Sequence, residues 1–205
     1  MTMLIFLVFL VSILLSWVLT LQVRQYALAR NLLDIPNDRS SHTVPTPRGG
    51  GLAIVIVLLI SGVASLFLPQ APIQLLTVLL LATLAFSLLG WQDDKHDLPA
   101  SVRFLIQLLI AALASGWLIL TNIPGLSISF MLIAVLLLTT IWIVWMANLY
   151  NFMDGIDGLS AVESLILGAT TSYWFASLGA VSISIICIAV AGASVGFLRW
   201  NWSPA

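Results

Sequence analysis

Residues 127–159 read SISFMLIAVLLLTTIWIVWMANLYNFMDGIDGL. The first part, 127–146, is an apolar run of the length that crosses a bilayer core, which takes about 20 residues. At Asn148 the character changes. Asn148, Asn151, Asp154 and Asp157 follow one another at intervals of three inside an otherwise apolar stretch. Residues three apart are neighbours on a helix, so each polar group can meet the next. Continued as an ideal helix, however, the run would turn Asp157 to the face opposite Asn148. Gly155 and Gly158 stand where such a helix is expected to break. The sequence therefore predicts a helix end, a tight glycine turn and a new helix, with oxygen ligands facing one another across the break. Such a site suits a hard cation and a phosphate ester.

The rest of the chain has the same apolar character. Of its 205 residues 61% are hydrophobic and 7% charged, and the mean hydropathy is +1.14. A soluble core does not need so little surface charge, so the composition reads as an integral membrane protein. The predicted fold class is all-α: a polytopic single transmembrane domain over residues 1–205, with about seven spans at 3–21, 51–68, 73–90, 103–120, 127–146, 160–177 and 181–198. Residues 1–20 lack a basic leader and a small-residue cleavage site, so they read as a retained first span with the N-terminus outside. Tyr26–Leu33 reads as a short interfacial helix. Cys187 stands alone in an apolar run, which excludes a disulfide or a cysteine metal cluster.

The loops alternate in character. All seven cations (Arg24, Arg30, Arg39, Arg48, Lys95, Arg103 and Arg199) lie in or beside the loops after spans one, three, five and seven. The loops after spans two, four and six are short and uncharged. The positive-inside rule makes the charged face cytoplasmic, and the eight acids and two histidines fall on that face too. Arg24, Arg30 and Arg199 read as topology determinants that touch lipid head groups.

Two further polar stretches accompany residues 148–159. GWQDDKHDLP, residues 90–99, holds the adjacent pair Asp93 and Asp94, with Asp97 at helical spacing and Lys95 placed to offset one charge. Two carboxylates beside a membrane stay ionised at a cost that a cation would offset. SSHTVPTPRGGG, residues 40–51, leads into span two. Its glycines (Gly49 and Gly50) can turn backbone N–H groups toward a phosphate, and Arg48 adds a fork of donors. His42 reads equally as a loop hydrogen-bonder or a participant. Near Gly158, Asp157 has the position of an N-cap, and Ser160 with Glu163 has capping-box spacing. Acidic clusters and a Gly/Arg loop on one face imply metal-assisted chemistry on a phosphorylated, lipid-associated substrate. The donors are all oxygens, so the metal is a hard cation such as Mg²⁺.

The three stretches, in this order and after spans one, three and five, resemble the motifs of the polyprenyl-phosphate N-acetylhexosamine-1-phosphate transferases. The resemblance implies transfer of a sugar-1-phosphate from a UDP-sugar to undecaprenyl phosphate at the cytoplasmic face of the bacterial inner membrane, giving a lipid diphosphate-sugar and UMP. It implies Mg²⁺ or Mn²⁺ as cofactor. It makes Asp93, Asp94, Asp154 and Asp157 catalytic, with Asp94 and Asp154 toward the metal. Asn148, Asn151, His42, Arg48, Gly49 and Gly50 become substrate-binding. Whether Asp93 acts as a base or as an electrostatic group is left open. UDP-sugar, undecaprenyl phosphate and membrane lipid are the implied partners, with a homodimer left open and no nucleic acid expected. Family members carry a Gly-Asp-x-Gly-Ser loop with a metal-binding aspartate soon after span seven, so these residues are expected to be the N-terminal part of a longer transferase. The Ser-Ser-His-Thr loop favours the enzymes that start O-antigen or other surface polysaccharides. Two alternatives stand beside this reading. A CDP-alcohol transferase would need an arginine that 157–162 lacks. An ion-coupled transporter would place its acids near the bilayer midplane.

Overall fold

The computed structural model describes residues 2–30, 32–34, 46–47, 49–122 and 130–202. Among these, the chain forms seven α-helices and one two-residue strand pair: α1 (Thr2–Ala29), β1 (Leu33–Asp34), β2 (Thr46–Pro47), α2 (Leu52–Ser65), α3 (Ile73–His96), α4 (Ala100–Asn122), α5 (Phe130–Met153), α6 (Leu159–Ser177) and α7 (Val181–Asn201). The all-α, membrane-embedded class holds. Five helices (α1, α3, α4, α5 and α7) are long and apolar enough to cross a bilayer. α2 has only 14 residues, about 21 Å at 1.5 Å per residue, against a hydrocarbon core of about 30 Å. α6 has 19 residues but carries Ser160, Glu163, Ser164, Thr170, Thr171 and Ser172 along its length.

Two predicted boundaries move. No separate helix forms at Tyr26: α1 continues unbroken to Ala29, because residues 2–29 contain neither glycine nor proline to stop it. The N–H of Leu32 closes its end on the carbonyl of Ala27 at 2.9 Å. Leu33 and Asp34 then pair antiparallel with Pro47 and Thr46, which ties the exit of α1 to the entry of α2. α3 likewise extends past the expected end of span three and carries Asp93 and Asp94 in its last turns rather than in a loop.

The chain divides into two compact units, residues 1–71 with 153–205, and residues 72–152. In the first, α7 is the hub against which α1, α2 and α6 pack. Lipid is as apolar as leucine, so helices in a bilayer associate through small residues and interhelical hydrogen bonds. α1 shows the resulting inversion: it buries Ser12, Ser16 and Thr20, four residues apart, and exposes Met3, Phe6, Val11 and Leu14. α7 buries Ser182, Ser184, Ala189, Ala193, Ser194 and Gly196. A Cβ at Gly192 would stand 2.5 Å from the carbonyl oxygen of Phe9, and one at Gly168 of α6 2.7 Å from that of Cys187. Hydroxyls caught in these seams are bonded across them. Ser16 donates to the carbonyl of Ala193 at 2.7 Å, Ser65 to that of Ser182 at 3.3 Å, and Ser172 to that of Ser184 at 2.9 Å. Val57, Ala189 and Ala193 form the apolar centre, packed by Val8, Leu15, Leu19 and Ile54.

α1 and α7 run parallel, since Gly192 meets Phe9 and Gly196 meets Ile13. Their C-terminal ends therefore lie together. There the Trp200 indole donates to the carbonyl of Trp17 at 3.3 Å, and the Arg24 and Arg199 guanidiniums lie 5.8 Å and 5.7 Å from its ring centroid.

In the second unit, α3 packs on α4, and α4 meets α5 at two polar pairs. Ser115 and Thr140 hydroxyls are 2.9 Å apart, and the Asn148 amide donates to Gln107 Oε1 at 2.7 Å. Eight residues back along α4 thus answer eight residues forward along α5, which makes these two helices antiparallel.

Candidate functional site

The glycine turn forms as its sequence predicts. α5 ends at Met153. The Ile156 N–H then bonds the carbonyl of Met153, and that of Leu159 the carbonyl of Ile156, each at 3.1 Å. Gly158 has φ of +74°, in the left-handed region, and from it α6 begins, with the N–H of Val162 on its carbonyl at 2.9 Å. A side chain here would be strained by its backbone and crowded by Leu198 and Trp202, whose atoms lie 3.4 Å and 3.5 Å from the position of a Cβ.

The N-cap is not where the sequence puts it. Gly158, not Asp157, occupies the N-cap position, and it has no side chain to cap with. Ser160 is then already inside the helix, and its hydroxyl turns back to donate to Asp154 Oδ1 at 3.0 Å. One tie to the turn comes from α7. Asn201 Oδ1 accepts the Gly158 N–H at 3.0 Å. This residue was missed in the sequence, where Arg199-Trp-Asn-Trp carries no pattern that points to a backbone group 43 positions away. Removing it strands a buried N–H, at about 1–3 kcal/mol. In Asn201→Leu, hydrogen exchange at the Gly158 amide is expected to accelerate, at constant pH, while amides in the middle of α7 keep their protection. Asp154 itself is exposed and Asp157 half-buried.

The acidic pair at the end of α3 has its own geometry. The helix leaves its axis at Asp97, which takes a left-handed conformation (φ 45°, ψ 63°) and returns its N–H to the Asp93 carbonyl at 2.9 Å. Aspartate tolerates this conformation better than most residues, and Pro99 follows two positions later. Asp93 Oδ1 accepts the Leu98 N–H at 3.1 Å, and Oδ2 accepts Arg103 Nη1 at 2.7 Å. Asp93 thus pins the corner from α3 to α4. Its counter-charge is Arg103, not Lys95, whose ammonium lies 4.6 Å from the Trp91 ring centroid. Helix geometry explains the exchange: residues one or two apart do not face each other, while Trp91 and Lys95 are four apart. Asp94 is half-buried beside this corner. Lys95 and His96 in the last turn complement the helix dipole.

In the glycine-rich stretch, His42 and Arg48 lie outside the described residues. Gly49 has φ of +88°, and a Cβ at Gly50 would stand 2.6 Å from the Phe197 ring. The N–H groups of Leu52 and Ala53 are already bonded to the carbonyls of Gly49 and Gly50, at 3.0 Å and 3.3 Å. These glycines therefore have a packing reason of their own, and the first amides of α2 are engaged within the turn.

Asn151 is exposed on the last turn of α5, whereas Asn148 faces α4. Within either unit, among the described residues, no three His, Cys, Asp or Glu side chains gather as a metal cage. The donors that are present suit a hard cation that completes its shell with water and phosphate oxygens. Asp154, exposed and hydrogen-bonded by a neutral hydroxyl, keeps lone pairs for such an ion.

The family model described as glycosyl transferase family 4 matches residues 76–205. A Bacillus subtilis protein named probable undecaprenyl-phosphate N-acetylglucosaminyl 1-phosphate transferase is 33% identical over 208 residues, covering 96% of this chain and 55% of its own length. A phospho-N-acetylmuramoyl-pentapeptide-transferase of Staphylococcus saprophyticus is 32% identical over 186 residues, covering 78% of this chain and 55% of its own. The chain spans about half the length of the curated relatives it matches. It belongs to glycosyl transferase family 4.

Proposed function

We propose that the protein to which these residues belong transfers an N-acetylhexosamine-1-phosphate from a UDP-sugar to undecaprenyl phosphate, at the cytoplasmic face of a bacterial inner membrane. The observation that carries this reading is the Asp154–Gly158 turn. It holds an exposed carboxylate at a helix break in an apolar chain, in a stretch that resembles the family's motif and lies within the residues its model matches. In the reaction, an oxygen of the lipid phosphate bonds to the sugar-bearing phosphorus of the UDP-sugar. The bond from that phosphorus to the bridging oxygen breaks, and UMP leaves with the electron pair. The products are the lipid diphosphate-sugar and UMP.

Asp154 would hold Mg²⁺ or Mn²⁺, and the resemblance alone assigns Asp94 to a metal as well. When bound, the cation would neutralise phosphate oxygens and ease departure of the nucleotide. Asp93, with both oxygens engaged by Arg103 and Leu98, holds the α3–α4 corner in place. At neutral pH a phosphate monoester is already largely ionised, so the acceptor needs no strong base. Asn151 is assigned to the nucleotide, and the shared end of α1 and α7, with Arg24 and Arg199, to the cytoplasmic head groups. Surface polysaccharide synthesis is the pathway class we favour, from the Ser-Ser-His-Thr stretch at 40–43.

The test is Mg²⁺-dependent release of UMP from UDP-N-acetylhexosamines in membranes containing undecaprenyl phosphate. The 205-residue chain is compared with a longer form extended to the full length of the relatives. Lipid-dependent UMP release by the longer form is expected. Its absence with every UDP-amino sugar would overturn the assignment.

A further inference from the structure

We infer that Gln107 is a positioning residue for the nucleotide motif, and that Asn148 serves it as the other half of an interhelical clamp rather than as a substrate contact. The inference rests on the transferase reading above for its catalytic consequence, though not for its geometry. Gln107 lies in the apolar run of α4 and is only 7% exposed. Its Oε1 accepts one hydrogen of the Asn148 amide at 2.7 Å, and the other goes to the carbonyl of Val144, one turn back on α5, at 2.8 Å. A carboxamide nitrogen has two hydrogens. Both are accounted for, so Asn148 has no N–H donor left for a sugar or a nucleotide.

The clamp has a second point of attachment. Ser115 and Thr140 join the same two helices, eight residues away on each, about 12 Å along the axis. One polar contact can fix how far two helices slide; two at separated heights also fix how each is rotated. Slipping α5 by one residue, or turning it, would break the part-buried amide pair. Asn151 follows Asn148 by three residues, on the same side of α5 and about 4.5 Å further along. Whatever sets the rotation of α5 at Asn148 therefore sets where Asn151 points. Gln107 acts on the chemistry through that rotation and touches no reacting atom.

Two arms test this. The first needs no activity. In the 205-residue chain with Cys187→Ser, Ser115→Cys and Thr140→Cys, copper-phenanthroline oxidises the two thiols to an α4–α5 disulfide. Adding Gln107→Leu should slow cross-linking several-fold, and Gln107→Asn with Asn148→Gln, which exchanges the two amides, should restore the rate. The second arm measures UMP release by the longer form. Gln107→Leu is expected to lower kcat about 10- to 100-fold, the scale on which small misplacements act, with little change in KM for Mg²⁺. The exchanged pair should recover most of it. An unchanged cross-linking rate in Gln107→Leu overturns the clamp. An exchanged pair as inactive as Asn148→Gln alone, beside a near-normal Gln107→Leu, would show that Asn148 contacts substrate directly. If the longer form is inactive with every UDP-sugar, the transferase reading fails, and the cross-linking arm still decides the clamp.

Discussion

Gly196→Val is expected to separate α1 from α7 and leave the chain largely unfolded. A Cβ at this position would run into the carbonyl oxygen of Ile13, and it would stand 2.9 Å from the N–H nitrogen of Trp17 and 3.0 Å from Ser16 Cβ. Two of these three neighbours are backbone of α1, which no rotamer change moves aside. The same seam holds the hydrogen bond from Ser16 to the Ala193 carbonyl and the close approach at Gly192, so widening it at Gly196 loosens every contact above and below. Overpacking in a filled core costs about 1–3 kcal/mol, occasionally more. A clash with fixed backbone, compounded by loss of the interhelical hydrogen bond, belongs at or above the top of that range. Thermal unfolding in mild detergent, followed by tryptophan fluorescence, is the measurement. Gly90→Ala is the control, since nothing lies within 4 Å of its Cβ position; alanine is the better helix former by about 1 kcal/mol. It should melt at or above the parent temperature. A Gly196→Val chain that melts with the parent would refute the role of α7 as the hub.

That hub shows where sequence reading stops. The five long apolar helices are legible because a bilayer imposes a length, and runs of about 20 apolar residues announce themselves. The break at Gly155 and Gly158 is legible because a polar residue every third position cannot stay on one helical face for long. α3 runs past the expected end of span three, to His96. A helix leaving the membrane continues into polar residues without penalty, and nothing before Asp97 and Pro99 stops it. Gln107 lay in plain view as an amide inside an apolar span. Its position says that a partner is needed but not that the partner is Asn148, 41 residues on. Asn201 is harder still, because it caps a backbone group, and backbone groups leave no mark in a sequence. Arg103 was counted for its charge alone. Its pairing with Asp93 depends on the corner that Asp97 makes in the left-handed region. Motif residues were found by type and spacing, and the residues that hold them were not.

The distinction matters most at Asp154. Asp154→Asn in the longer form is expected to lower lipid-dependent UMP release by at least about 100-fold, the scale seen when a preorganised electrostatic partner of the transition state is removed, while leaving the fold intact. The substitution preserves shape: asparagine keeps an oxygen that accepts the Ser160 hydroxyl, now 3.0 Å from Asp154 Oδ1, and the side chain is exposed, so no buried group is stranded. What it removes is the negative charge. Had Asp154 served only to receive Ser160 and steady the start of α6, the amide would do as well, and Ser160→Ala would cost as much as Asp154→Asn. If the carboxylate instead holds a divalent cation, Ser160→Ala retains most activity, and Asp154→Asn raises the Mg²⁺ concentration needed for half-maximal rate as well as lowering the rate itself. Excess Mg²⁺ would then recover part of the loss in Asp154→Asn and none of that in Gln107→Leu, where the charge is untouched. Full activity in Asp154→Asn at ordinary Mg²⁺ would remove the metal from this turn, and with it the reason that an exposed aspartate sits at the end of an apolar helix.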